Sequence, residues 1–379
     1  MKKLLISLIA LPLFIAACKN EDESELQRKA IVENYATIVQ AAYEDSYSTA
    51  QTLRNDIYSF VNNPTATGLE TCKQSWLAAR VPYGQTEAFR FYGGPIDDAD
   101  GPEGLINAWP MDENFIDYGE GNPAAGLINN PAQYPNITAQ VLSDLNESIS
   151  EESIFTGYHA IEFLLWGQDL SASGPGARPY TDYVINGSGA ANQARRGEYL
   201  KVVADLLVTN LDVVLQEWKP DGAYRKQFLE NTDTKVALGY LFTSLGELSK
   251  GELAGERMFV AIDTKDQENE HSCFSDNTTN DILMNFKGIQ NVYTGNYQRI
   301  DGSIVQGANL ADIAAMADAT KAAAVNASLV DCAAKLALIP TPFDQAILNN
   351  IDQILAGVTS LRTLSDHFSD VGLALGAEF

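Results

Sequence analysis

With 50 acidic against 25 basic side chains in 379 residues, the chain carries a formal charge of −25 and lacks the cationic surface that phosphate binding requires. Nucleic acid is thereby excluded as an expected partner, whereas cations suit such a surface, alongside its ordinary solubilising role. The length is enough for two domains with ordinary cores.

The chain opens MKKLLISLIALPLFIAA (1–17), which has two lysines, an apolar stretch too short to span a bilayer comfortably, and small residues, in that order. This predicts a signal peptide. Ile-Ala-Ala ahead of Cys18 resembles a bacterial lipobox, so Cys18 is expected to be lipidated and to become the mature N-terminus. A lipid anchor at Cys18 places the protein in the cell envelope, at the outer membrane, facing either the periplasm or the surface. The acidic run over 18–25 is expected to be a solvated tether.

From Leu26 to Val61 apolar residues recur at three- and four-residue steps with no proline or glycine between them, which predicts one long helix. A second is predicted over about Leu69–Phe91, with Pro82 as the expected kink site. Further helical patterns cover about Thr138–Ser148, Ser153–Trp166, Ala191–Trp218, Thr234–Leu253, Asn277–Tyr293, Leu310–Leu338 and Pro342–Leu373, and no stretch shows sustained strand alternation. The expected fold is all-α. It divides near Lys219-Pro220-Asp221-Gly222 into an N-terminal helical bundle, 26–219, and a C-terminal one, 220–379.

Two segments depart from the helical pattern. Between Gly93 and Asn136 the chain is too rich in glycine and proline for helix and too long for a simple connector, which predicts a long irregular loop in the first half. Such a loop either carries function or packs as an Ω-type element. Its Trp109, Tyr118 and Tyr134 fit, less well, a glycan surface. The second segment, Val260 to Asn277, gathers acids around His271.

In GYHAIEFLLWGQDL, 157–170, His159 and Glu162 are three residues apart on a predicted helix, so both heads face one volume of space. Taken alone, the pair reads first as a polar contact beside a buried surface. Arg80, Tyr83, Glu87 and Arg90, spaced three, four and three, form a polar stripe on the preceding long helix. If that helix faces the one bearing His159, Glu87 completes a site of two carboxylates and an imidazole, with Arg80 or Arg90 orienting a carboxylate or holding an anion.

Other chemistries find less support. Zinc peptidase motifs need two histidines around the glutamate, whereas position 163 is Phe and the chain has 3 histidines, His159, His271 and His367. Neither a phosphate-binding loop nor a G-x-S-x-G elbow occurs. With Cys18 lipidated, Cys72, Cys273 and Cys332 remain in an oxidising compartment, which predicts one disulfide and one thiol. The pairing is not readable, with Cys273–Cys332 the favoured choice.

Together, ARVPYGQTEAFRFYGGPIDD, GYHAIEFLLWGQDL with GARPYTDY after it, and DQENEHSCFSDNT followed by GIQNVYTGNY resemble the imelysin family, close to its iron-regulated lipoprotein branch. The resemblance implies an all-helical protein of two bundle-like halves, a functional site between them and a role in bacterial iron uptake. It implies His159, Glu162, Glu87 and His271 as metal-site residues, with Arg80, Asp97, Gly157, Ser272 and Asp276 around them. Iron, or a small iron-containing ligand, is the implied cargo, zinc the alternative metal, and a membrane iron transporter the implied partner. The family's metallopeptidase label supplies a second reading, in which His159 and Glu162 serve a zinc-dependent hydrolase.

Overall fold

The computed structural model describes residues 11–171 and 174–379, with the backbone alone over 11–22. The predicted leader lies partly outside these residues, as does the side chain of Cys18. Long helices make the frame: α1 (Leu11–Asn62), α2 (Ala66–Thr86), α3 (Gly157–Trp166), α4 (Gln193–Trp218), α5 (Thr234–Glu247), α6 (Thr278–Thr294), α7 (Ala319–Leu336) and α8 (Ile351–Ala374). The all-α expectation holds. No described helix is long and apolar enough to cross a membrane.

The stripe read on α1 is its buried face, with Ile31, Tyr35, Ile38, Val39, Ala42, Tyr43, Leu53, Ile57 and Phe60 all inside. This face packs on α2 and α4, while α8 packs on α7 and on the segment after α5. Helix α6 lies against α2, so the two predicted halves share one continuous apolar core. The segment expected as a tether is helical, forming part of α1. At its end Glu25 accepts from Arg28 at 2.9 Å and from Thr234 at 2.7 Å, which ties it to α5.

One predicted helix breaks where a side chain competes for the backbone. The helix expected over 310–338 is interrupted at Asp318, whose carboxylate accepts from the Thr320 and Lys321 amides and caps α7. Helix α5 passes into a π-helical run, Leu248–Phe259, a winding often found at functional sites. A two-stranded antiparallel ribbon, Asn296–Gln298 with Ile304–Gln306, turns where the Gly302 amide donates to the Arg299 carbonyl, with Gly302 in the left-handed region at φ +85°.

The expected disulfide is absent among the described residues. Cys72, Cys273 and Cys332 are free and buried, on α2, in the loop before α6 and on α7, where Cys332 accepts from the Ser360 hydroxyl.

The long loop is ordered by its own apolar residues, Ile96, Ile106, Ile116, Leu127 and Ile128 being buried. From α4, Arg195 donates to the Ile128, Leu127 and Tyr134 carbonyls. Loop and scaffold are thereby fixed together, and the loop's Trp109 is held against the two halves.

Candidate metal-binding site

Gly157 explains its own place in the sequence. Its φ is +82°, and a Cβ there would stand 2.4 Å from the Ile106 carbonyl oxygen, so only glycine lets α3 start this close to the loop. From that start, His159 and Glu162 project one turn apart into the interior. Both are 0% exposed, and His159 Nδ1 lies 2.9 Å from Glu162 Oε2. The other oxygen of Glu162 accepts from both the amide and the hydroxyl of Ser275, at 2.9 and 2.7 Å.

This pair is a neutral hydrogen bond rather than an ion pair. Burial, with His271 nearby, holds the His159 imidazolium well below the ordinary histidine range. Burial also pushes the Glu162 carboxyl up to about 8. Loss of water disfavours both charged forms, so below that value the Glu162 hydroxyl donates to Nδ1. The other nitrogen, Nε2, is buried and has no partner.

His271 supplies a second dyad from the opposite half. Its Nδ1 is 3.1 Å from Asp281 Oδ2 on α6, and its ring stands 4.7 Å from that of His159 at an interplanar angle of 79°. Trp109 closes the group, its ring centroid 4.9 Å from His159 and 6.4 Å from His271. Burial, with Arg257 nearby, lowers His271 to about 4. For Asp281 burial works the other way, but Arg80 and the bond to His271 outweigh it and hold the carboxyl far below its usual range. Here a neutral imidazole donates to a carboxylate.

Arg80 meets Asp281 through Nε at 3.2 Å and Nη2 at 2.9 Å, and its Nη1 donates to Asn107 at 2.6 Å. Ser272 and Asn277 also donate to Asp281. Removing either member of the buried Arg80–Asp281 pair leaves an uncompensated charge, a loss of about 3–5 kcal/mol. Arg80 therefore orients a carboxylate, as its place in the polar stripe suggested.

Other predicted residues stand elsewhere. Glu87 Oε2 is taken by Arg90 at 2.7 Å and Arg257 at 2.6 Å, and its Oε1 by Asn107 at 3.4 Å. Burial opposes its charge, but the two arginines outweigh that and hold it near 2. It thus anchors a charge network beside the imidazoles, with Oε2 held by two arginines and Oε1 by one amide contact. Asp97 accepts from the Phe91 and Gly94 amides and shapes the loop. Asp276 belongs to a separate acidic group with Asp169 and Asp344, beside which the Glu270 carboxyl is buried and pushed up to about 9.

Sequence reading missed Ser275, Asp281, Trp109 and Arg257 as parts of this assembly. Asp281 had a local signal, since it sits in the first turn of the helix that follows His271.

Among the described residues, no three His, Cys, Asp or Glu side chains stand ready to hold a metal ion together. The arrangement instead offers the paired dyads. Metal-ligating histidines commonly have the second ring nitrogen fixed by a carboxylate, and both imidazoles here have Nδ1 so fixed. His159 Nε2 fits such a role, and the remaining coordination would come with the ligand.

The imelysin family model matches residues 39–367. A curated relative, iron-regulated protein A of Synechococcus elongatus, is 27% identical over 271 residues, covering 70% of this chain and 63% of the relative. The chain thus spans under two thirds of that protein's length. A crystal structure designated an iron-regulated protein A precursor, from Parabacteroides distasonis, superposes with a TM-score of 0.74 at 17% identity, covering 93% of this chain and 95% of that one. An imelysin-like protein from Psychrobacter arcticus superposes at 0.56 and 16% identity, covering 92% and 93%. These two likenesses concern the fold, and the family match extends through α2, the G-x-H-x-x-E helix and α6: the chain belongs to the imelysin family.

Proposed function

We propose that this protein binds iron, as an ion or within a small iron-containing ligand, at the facing imidazoles of His159 and His271, and serves bacterial iron uptake. One observation carries the reading: His159 Nε2 is fully buried without a partner, while its Nδ1 is fixed by a carboxylate that Ser275 holds in turn. A buried polar atom left without a partner carries a desolvation cost, which a ligand would relieve. Imidazole nitrogen suits iron, and the iron-regulated relative lends the same direction. The leader-like opening and Cys18 support an envelope lipoprotein that presents this site outside the cytoplasm and passes its cargo to a membrane transporter.

Binding at Nε2 requires that nitrogen to lose its proton, while Nδ1 recovers the one shared with Glu162. The released proton offsets one unit of the cation's charge, and the Glu162 carboxylate left behind faces the rest of it. Elemental analysis after expression in iron-replete medium tests the reading. Iron should accompany the wild-type protein in a fixed ratio and be lost from His159→Ala; equal iron in both would overturn the assignment.

A further inference from the structure

A cleft of about 350 Å³ has Trp109 and His271 among its lining residues. His159, whose ring meets both, lies behind them. The cleft therefore reaches one member of the imidazole pair, His271, directly. Its lining is ordered by charge. Glu147, Glu151 and Glu256 are exposed, Glu103 and Glu252 are half-buried, and Arg257 is buried.

The two arginines of the lining are already paired. Arg90 meets Glu87 at 2.7 Å and Glu103 at 3.1 Å. Arg257 meets Glu87 at 2.6 Å and Glu252 at 2.8 Å, and donates to Asn285 at 2.7 Å. Their charge is matched before any ligand arrives, whereas among the described residues Glu147, Glu151 and Glu256 are exposed and enter no such ion pair. The rim is built from both halves, with Glu147 and Glu151 coming from the segment before α3 and Glu256 from the π-helical run.

We infer that the site selects cationic iron species, a hydrated or weakly complexed ion, and rejects polyanionic iron chelates. This rests on the iron reading above and narrows it. Here the arginines are internally paired and the exposed rim is of one sign, and a cleft mouth of one sign concentrates the opposite sign and raises its association rate by roughly 10 to 1,000-fold. The same field repels a chelate whose carboxylates outnumber the metal's charge. The unpartnered Nε2 of His159, beside the cleft-lining His271, favours the same species, because an ion with exchangeable water can accept an imidazole directly. Exposed charges are screened by salt over about 10 Å at 0.1 M, so the selection should weaken as ionic strength rises.

Stopped-flow fluorescence on the full-length protein tests this, with anaerobic ferrous ion and ferric citrate as probes. The variant Glu147→Gln/Glu151→Gln/Glu256→Gln removes only exposed charge. Ferrous ion should bind the wild-type protein rapidly and with strong salt dependence, the triple variant should bind it about 10-fold more slowly at low salt with a flattened salt dependence, and ferric citrate should bind weakly to both. Ferric citrate binding the wild-type protein as tightly as ferrous ion, in a manner that requires His159, would overturn the selection and leave the iron reading standing. An unchanged rate and salt dependence in the triple variant would also overturn it. Failure of both probes to bind the wild-type protein would remove the iron reading, and this inference with it.

Discussion

His159 and His271 face each other at 4.7 Å between ring centroids, across the junction of the two helical halves. Each is held by a different carboxylate, Glu162 for one and Asp281 for the other. The two dyads differ in electrical state. Asp281 is kept ionised by Arg80, whereas Glu162 has no such cation bound to it and rises to about 8. The His159 dyad is thus the one that can release a proton near neutrality.

A pH dependence follows from that difference. With the Glu162 carboxyl raised to about 8, binding a cation at His159 releases a proton at pH 6 to 7. Affinity should therefore rise with pH, by up to about tenfold per unit, and level off above pH 8. Isothermal titration in buffers of different ionisation enthalpy measures the proton directly. A pH-independent affinity over this range would contradict the account.

Ser275 should act through Glu162. Its amide and hydroxyl both donate to Oε1, and Ser275→Ala removes the second donor while keeping the first. Loss of a supporting partner of this kind typically lowers metal affinity by about 10 to 100-fold. Helix content by circular dichroism should stay unchanged, and an affinity equal to wild type would show that the hydroxyl has no positioning role.

Peptide hydrolysis should be absent even with metal supplied. A general base needs an oxygen within reach of the attacking water, but Glu162 has one oxygen on His159 and the other on Ser275. An unfolded peptide incubated with metal-loaded protein should remain intact by mass spectrometry. Cleavage that Glu162→Gln abolishes would favour the hydrolase reading.

Asp276→Asn should stabilise the protein at alkaline pH. Burial, reinforced by Asp169 and Asp344, raises the Asp276 carboxyl to about 7 from 3.8. A carboxyl raised on folding contributes its stability below the unfolded value and loses it as pH rises through the folded one, so the wild-type protein is penalised above about pH 7. Asparagine removes that charge and tolerates the positive φ of 58° at this position. The melting temperature of the variant should exceed wild type at pH 8 by a few degrees. The part of the gain due to charge should disappear below about pH 4; a gain of equal size at pH 4 and pH 8 would leave the backbone effect as the whole cause.

The fold was legible where periodicity is long. The α1 stripe needs only the spacing of Ile31, Tyr35, Ile38 and Val39 to be recognised, because a helix presents those positions on one face. The break at Asp318 was harder to read, since it depends on one carboxylate turning back to accept from the Thr320 and Lys321 amides. The site was legible in part. His159 and Glu162 lie within one turn, but Glu87 is claimed by Arg257, which is 170 residues away in sequence. A carboxylate's partners at that separation are set by packing, so the polar stripe identified a buried network without revealing that Glu87 stabilises arginines instead of reaching the imidazoles.

The central claim is that a ligand's metal meets His159 Nε2 with His271 beside it. Calorimetric titration of ferrous ion under anaerobic conditions into the wild-type protein, His159→Ala and His271→Ala tests it most directly. The account predicts one saturable site in the wild-type protein, abolished in His159→Ala and weakened at least about tenfold in His271→Ala, with all three proteins retaining the same helix content. Wild-type affinity in both variants would contradict it, and would leave the two dyads as buried polar contacts that only join the halves.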